Sequence, residues 1–309
     1  MKKIFLVLFI LGMSLSLWAQ QRSYFNYQKQ NFKGQDYPGF YSKKARKSSV
    51  KINQTLLLKL VQNTDSITSP DSLSWQTDIF FNNKNIIAFS VKDKDNHEKN
   101  FAFNAANGSL INIAEMFTPY GLNHIKKAIL KNFQSVSQQQ VLLAKNAEKC
   151  IKDDLGNFKL TPDTLLVFST NCFNVAANGN LSKDTVTTGF SSAALAPYLN
   201  IYGKSLLGIT KKPKPKHFKS TVVNGLYEGK LGNQNVVILL EQPIENSLQG
   251  VFYYPDTQET ISFSGKFRSN KLETVIKGAS LRVVISSGFL TGTLKKNAKE
   301  TLYLKLEKN

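Results

Sequence analysis

The 309-residue chain has few of the residues that build catalytic and metal sites. It contains 2 cysteines and 3 histidines, and His97, His124 and His217 are far in sequence from one another and from either cysteine. Zinc sites typically use closely spaced His and Cys pairs, which this chain therefore lacks. It also lacks a G-x-S-x-G motif and a pair of carboxylates suited to glycoside hydrolysis. We therefore expect no metal, no cofactor and no catalytic residue.

Long hydrophobic runs are also absent beyond the N-terminus, where the first residues read MKKIFLVLFILGMSLSLWAQ. Lys2 and Lys3 precede an apolar run from Ile4 to Leu11, which is the layout of a secretory signal peptide. A membrane-spanning helix is the alternative, but the run is shorter than the ~20 residues that a bilayer needs. The sequence predicts cleavage after Ala19 and a periplasmic or secreted mature chain without a transmembrane segment.

Acidic residues are scarce, with 21 Asp and Glu against 40 Lys and Arg and a net charge of +19. The excess is concentrated in residues 22–64, where Asp36 is the one acid, and in residues 185–227, which contain none. The candidate electrostatic contacts are Lys43, Lys44, Arg46, Lys47, Lys211, Lys212, Lys214 and Lys216. Such clusters attract anionic polymers in a salt-dependent manner. The alternative is a solvated, lysine-rich surface with no partner.

Arginine is rare among the basic residues, and this bears on the class of partner. Arg22, Arg46, Arg268 and Arg282 are its only occurrences. Arginine is the residue that reads bases and grips phosphate with two hydrogen bonds. Because the chain is also expected to be exported, we expect no nucleic acid partner, and the expected partner is an anionic cell-envelope polymer or an envelope protein.

Composition and periodicity divide the chain into five segments. These are a signal peptide (1–19), a basic, aromatic-rich extended arm (20–50), an α+β domain (51–208), a Lys/Pro linker (209–220) and an antiparallel β domain (221–309). Within the α+β domain, Ile52, Leu56 and Leu60 recur at helical spacing, and strand-like runs precede a second helical pattern. Alternating Lys and Pro in KKPKPKHFK favour an extended spacer between the two domains.

The C-terminal segment has about eight short alternating runs with recurrent glycines, as in EGKL, QGVF and TGTL. This pattern predicts an antiparallel meander closed, or nearly closed, into a small barrel. Six aromatic residues either line a ligand pocket in this barrel or form its core. They are Tyr227, Phe252, Tyr254, Phe263, Phe267 and Phe289.

Three motifs give the central segment a family resemblance. KNFAFNAANGSLINIAEMFTP, LTPDTLLVFS and TTGFSSAALAPYL occur in that order. Over residues 51–205 the sequence resembles the RsiV-like domain, an α+β module of exported anti-sigma factors and of proteins with peptidoglycan deacetylases. The resemblance implies the fold of that module. CFNVAANGN stands where the family has a tyrosine-containing segment, so the resemblance does not imply lysozyme binding here.

The two cysteines, Cys150 and Cys172, are separated by one predicted hairpin. In an exported protein a disulfide is the default expectation for two such residues, and it would stabilise the fold by about 3 kcal/mol. Two free, buried thiols are the main alternative.

These observations favour an exported, non-catalytic protein that binds or scaffolds a component of the cell envelope. One alternative is a small-ligand or inhibitor module centred on the C-terminal β domain. A hydrolase of unrecognised type, with Cys172 and His124 as a nucleophile and base, is the third hypothesis.

Overall fold

The computed structural model describes residues 23–32, 34–61, 75–93, 96–136, 155, 157–169, 186–210, 223–241, 247–286, 288–297 and 300–308. Within these residues the protein is mostly β, with a few helices in its N-terminal part and a closed antiparallel barrel in its C-terminal part. The predicted signal peptide, Cys150, Cys172 and the linker residues Lys211, Lys212, Lys214 and Lys216 lie outside the described residues.

The N-terminal part contains eight described strands and four α-helices. They are β1 (Asn26–Phe32), β2 (Gln35–Tyr41), α1 (Arg46–Val61), β3 (Gln76–Asn82), β4 (Ile86–Lys92), β5 (Glu98–Asn104), α2 (Pro119–Val136), β6 (Phe158–Leu160), β7 (Thr164–Ser169), β8 (Val186–Ser191), α3 (Ser192–Leu195) and α4 (Ile201–Leu206). A short 3-10 helix, Ile113–Met116, precedes α2.

The antiparallel sheet β3-β4-β5 lies between two hydrophobic cores. Side chains alternate across a strand, so Ile87, Phe89 and Val91 of β4 face one core while Ile86 and Ala88 face the other. The first core is completed by β1, β2 and α1, and the second by α2, α4 and the sheet β6-β7-β8. The expected combination of antiparallel strands with clustered helices is therefore present.

The N-terminal segment differs from the extended arm that we expected. Residues 26–41 form the hairpin β1-β2, and three of its aromatic residues are buried, whereas Tyr27 is 40% exposed. Phe40 packs on Phe89 with ring centroids 4.4 Å apart. The Asn82 side chain accepts from the Phe25 N–H and donates to the Phe25 carbonyl, each at 2.8 Å. The sequence of this segment shows no clear hydrophobic period and therefore did not predict the hairpin. The partners of its apolar residues lie on the other strand, across the turn.

Helix α1 is buried on two faces. The predicted stripe of Ile52, Leu56 and Leu60 is confirmed and packs on the β3-β4-β5 sheet. Leu58 lies off that stripe, yet it is also buried, with an exposed fraction of 1%. The helix begins five residues before the predicted Lys51. The second helical pattern, in which Ile125 and Ile129 recur at helical spacing, is also confirmed, since α2 contains both residues and buries them.

The C-terminal part is a closed barrel of eight antiparallel strands. They are β9 (Gly225–Leu231), β10 (Gln234–Glu241), β11 (Ser247–Tyr254), β12 (Glu259–Arg268), β13 (Lys271–Ile276), β14 (Ala279–Ser286), β15 (Phe289–Lys295) and β16 (Thr301–Lys308). Each strand pairs with the next along the chain, and β16 closes the barrel on β9, with Leu304 opposite Leu231. The predicted eight-stranded barrel is confirmed.

Inward-facing residues of the barrel are apolar, as in β14, where Ala279, Leu281, Val283 and Ile285 alternate with exposed residues. Glycine allows neighbouring strands to approach closely at Gly292, where an added Cβ would lie 2.1 Å from the Arg282 carbonyl oxygen. This explains why glycines recur inside the barrel strands rather than only in the turns.

The barrel packs against α1 through its outer surface. Leu58 forms an apolar cluster with Leu226, Val237, Leu239 and Val251, which point outward from β9, β10 and β11. This cluster is called the α1–barrel seam below. Phe32 of the hairpin also contacts Tyr253, with ring centroids 6.4 Å apart. The two halves of the chain are therefore joined by a hydrophobic contact that the linker sequence did not indicate.

Among the described helices, none is long and apolar enough to cross a bilayer.

Candidate functional site

The four described cations of the predicted electrostatic clusters lie together on the surface. Lys43 and Lys44 belong to the turn before α1, and Arg46 and Lys47 belong to its first helical turn. All four are exposed. The turn is held in place because the Ser42 N–H donates to Ser49 Oγ at 2.9 Å. These four residues are called the cationic turn below.

The cationic turn has no acidic residue within the first turn of α1. The first amides of a helix carry partial positive charge, so the helix dipole disfavours cations at this end. The four cations also repel one another. The arrangement therefore costs some helix stability. A negative charge near the turn would offset that cost.

The aromatic residues that we considered as pocket-lining side chains mostly form the barrel core. Tyr227, Phe252, Phe263 and Phe267 are buried within it, and Tyr254 packs against them. Phe289, by contrast, has an exposed fraction of 40%. Tyr227 fills the space at one end, where its hydroxyl donates to the Val223 carbonyl at 2.8 Å, and burial raises its pKa above the ordinary tyrosine value. The described interior is thus occupied by side chains.

A cleft of about 920 Å³ lies between the N-terminal part and the barrel. One wall comes from Lys59 of α1, residues 98–101 of β5 and Asn157. The other comes from Glu241, residues 249–250 of β11, residues 262–264 of β12 and Val275. The cleft exists because the α1–barrel seam brings these elements together, so no single segment of the sequence encodes it.

Charges in the cleft are partly paired. Lys59 and Glu241 form an ion pair that bridges α1 and β10. Glu98 pairs with Lys159 of β6 at 3.1 Å. Lys99, in contrast, has no carboxylate within 4.0 Å among the described residues, and its Nζ lies 5.7 Å from the centroid of the Trp75 ring.

The ammonium group of Lys99 is only half-exposed, and burial lowers its pKa below the ordinary lysine value. The positive charge of Lys59 lowers it further, whereas Asp93 and Glu241 act in the opposite direction. A partly buried cation without a close counter-ion loses part of its hydration. A negative group beside Lys99 would compensate for that loss.

Two polar side chains next to the cleft lack hydrogen-bond partners among the described residues. They are Ser90 of β4 and Asn100 of β5, which lie directly opposite each other across the two strands. Ser90 Oγ and Asn100 Oδ1 are both buried and have no partner. Unsatisfied buried groups cost about 1–3 kcal/mol each.

The sequence did not identify the cleft residues as functional. A helical period predicts a helix around Lys59, and an alternating pattern predicts a strand around Glu98, Lys99 and Asn100. Tertiary packing alone brings these residues next to the barrel. One signal was present: Ser90 is polar in the apolar run IIAFSV, where the pattern predicts a buried side chain. His124 lies against Tyr198, with ring centroids 4.2 Å apart, whereas its proposed partner Cys172 is outside the described residues.

No family model and no curated protein matches the chain. Among solved structures, the chain is similar to a crystal structure of a member of the DUF3298 family from Bacteroides fragilis. The TM-score is 0.34 and the sequence identity is 10%, over 62% of this chain and 96% of that chain. This is a weak structural similarity, and membership of the RsiV-like family stays a prediction from the sequence motifs.

Proposed function

We propose that the protein is exported and binds an anionic polymer or a protein of the cell envelope without catalysing a reaction. The observation that carries the proposal is the cationic turn. Four exposed basic side chains are held on an ordered turn and a helix start, with no acid in that helix turn. The N-terminal signal-peptide pattern supports export, and the motifs that resemble the RsiV-like domain support a role in the envelope.

Electrostatic attraction of this kind acts over a short range and depends on salt. At physiological ionic strength the Debye length is about 8 Å, and at 1 M salt it is about 3 Å. A polymer that carries closely spaced negative groups can meet several cations of the turn at once, whereas an isolated anion meets one. The proposal therefore favours a polyanionic surface over a small anion.

Co-sedimentation with isolated cell-wall and outer-membrane fractions tests the proposal. The chain is expected to sediment with one of these fractions at low salt and to be released at high salt. Replacing Lys43, Lys44, Arg46 and Lys47 together by glutamine should abolish most of this binding.

The matched control replaces three lysines and one arginine on the exposed outer surface of the barrel by glutamine. These are Lys266, Arg268, Lys271 and Lys295. Both variants lose the same charge, so a difference between them reports the position of the charge rather than its total. Equal binding by the two variants would contradict a role for the cationic turn, and no binding by the unmodified chain would contradict retention itself.

A further inference from the structure

The first half of β5 is an unpaired strand edge that faces the cleft. Strand β5 lies at the edge of the β3-β4-β5 sheet. The Ile111 N–H donates to the Ala102 carbonyl, and the Asn104 N–H donates to the Ser109 carbonyl, so these residues turn their backbone groups away from β4. Backbone direction alternates along an antiparallel strand. The backbone groups of Glu98 and Asn100 therefore point outward as well, and no described backbone segment pairs with them.

Across the cleft, the backbone pairing between β12 and β13 is short. Strand β12 pairs with β11 along eight residues, Glu259–Lys266, but with β13 only at Lys266, Phe267 and Arg268. Beyond these three residues, Thr274 Oγ1 donates a hydrogen bond to the Ser264 carbonyl, in place of a backbone N–H of β13. The backbone ladder between β12 and β13 is therefore interrupted on the side where Ser262 and Ser264 line the cleft.

The lining pattern of the cleft indicates that strand edges, rather than strand faces, form its walls. Successive side chains of a strand point to opposite faces. Nevertheless, four consecutive residues of β5, 98–101, and three consecutive residues of β12, 262–264, line the same cleft. Consecutive residues of a strand line the same cleft when the edge of that strand, rather than one of its faces, borders the cleft. An extended peptide placed there finds backbone donors and acceptors on β5 and an apolar contact with the exposed side chain of Val275.

We propose that this cleft binds an extended peptide of a partner protein as an added β-strand on β5, with a carboxylate of the peptide beside Lys99. Edge addition of this kind takes its affinity from main-chain hydrogen bonds and its selectivity from alternate side chains. Lys99, which has no described carboxylate within 4.0 Å, fixes the preference for an acidic peptide. This binding is separate from the electrostatic retention proposed for the cationic turn, which lies before and at the start of α1, outside the residues that line the cleft.

Peptide selection against the full chain tests the proposal. The probe is a phage-displayed library of random peptides of roughly ten residues, the upper length of a common strand. Enriched peptides should carry Asp or Glu, or end in a free carboxylate, and should bind in a fluorescence-anisotropy assay. Methylation of alternate backbone nitrogens of such a peptide should abolish binding in one register and spare it in the other, because only one set of N–H groups faces β5.

Two variants at one position separate the strand edge from the side chain. Asn100→Pro removes an N–H that points away from β4, so the sheet keeps its own hydrogen bonds, whereas Asn100→Ala keeps that N–H and removes only the amide. Relative to Asn100→Ala, Asn100→Pro should bind the peptide about tenfold or more weakly. Lys99→Gln should remove the preference for acidic peptides.

Three results would overturn the proposal. They are no enrichment of peptides, insensitivity of binding to backbone methylation, and equal affinity of the Asn100→Pro and Asn100→Ala variants. Formation of a dimer that Asn100→Pro dissociates would assign the edge to a second copy of this chain instead. If Asn100→Pro does not fold, as judged by circular dichroism, the methylated peptides decide the question alone.

Discussion

Replacing Leu58 by alanine is expected to weaken the attachment of the barrel to the N-terminal part. Leu58 is 1% exposed and lies in the α1–barrel seam with outward-facing residues of the barrel. Loss of its buried methyl and methylene groups, at about 0.8 kcal/mol each, removes roughly 2 kcal/mol of transfer free energy. The cavity that remains raises the expected cost to about 2–5 kcal/mol of unfolding free energy.

A double-mutant cycle with Leu239→Ala isolates the contribution of the seam. Leu239 points outward from β10 into the same cluster, whereas its neighbour Ile238 points into the barrel core. Substitutions that share a cluster couple by about 0.5–3 kcal/mol, and separated ones add to within about 0.5 kcal/mol. We expect coupling between Leu58→Ala and Leu239→Ala, and additivity between Leu58→Ala and Ile238→Ala.

Tryptophan fluorescence during urea unfolding provides a readout for one half of the chain. Trp75 lies in the core formed by β1, β2, α1 and the β3-β4-β5 sheet, and residues 220–309 contain no tryptophan. Circular dichroism reports the barrel strands in the same titration. In the Leu58→Ala variant the Trp75 transition should shift to lower urea and separate from the circular dichroism transition. Additive effects of Leu58→Ala and Leu239→Ala would refute the inference that the seam joins the two halves.

Three further predictions concern the barrel, a buried tyrosine and the cysteines. Gly292→Ala should lower the free energy of unfolding by about 1–3 kcal/mol, because the added Cβ meets the backbone of the neighbouring strand. In the control variant Gly189→Ala, the added Cβ meets only a leucine methyl at 3.3 Å, so its thermal stability should change little. Burial raises the pKa of Tyr202 to about 12. Its contribution of about 2–3 kcal/mol to the free energy of unfolding is therefore present below pH 10 and is lost as the pH rises to about 12. The Tyr202→Phe variant should lack this decline, and parallel pH profiles of the two proteins would contradict the prediction. Thiol titration of the unfolded chain without reductant should find no reactive thiol if Cys150 and Cys172 are bridged, and two reactive thiols would rule the bridge out.

Local patterns predicted the secondary structure well where each element buries one regular face. The stripe of Ile52, Leu56 and Leu60 predicted α1, and the alternating runs with glycines predicted all eight barrel strands. Both signals arise because burial on one face imposes a period on the sequence. The hairpin at residues 26–41 was missed because its aromatic residues follow no clear period and pack on a sheet that comes later in the chain.

The cleft was not predictable in the same way. Its walls come from α1, β5, β11 and β12, which are distant in sequence, and only the α1–barrel seam brings them together. The run LLLKL did contain a hint, because Leu58 interrupts the stripe of α1 and therefore predicts a second buried face. That face packs on apolar residues on the outer surface of the barrel. These residues can be recognised as outward-facing only once the closed barrel is known.

The most direct test of the proposed envelope role is a pull-down of envelope extracts with the full chain at low and high salt, with mass spectrometry and polymer analysis of the retained material. The account predicts an anionic envelope polymer, or an envelope protein, that is retained at low salt and released at high salt. Retention that does not respond to salt, or no retained envelope component, would contradict it.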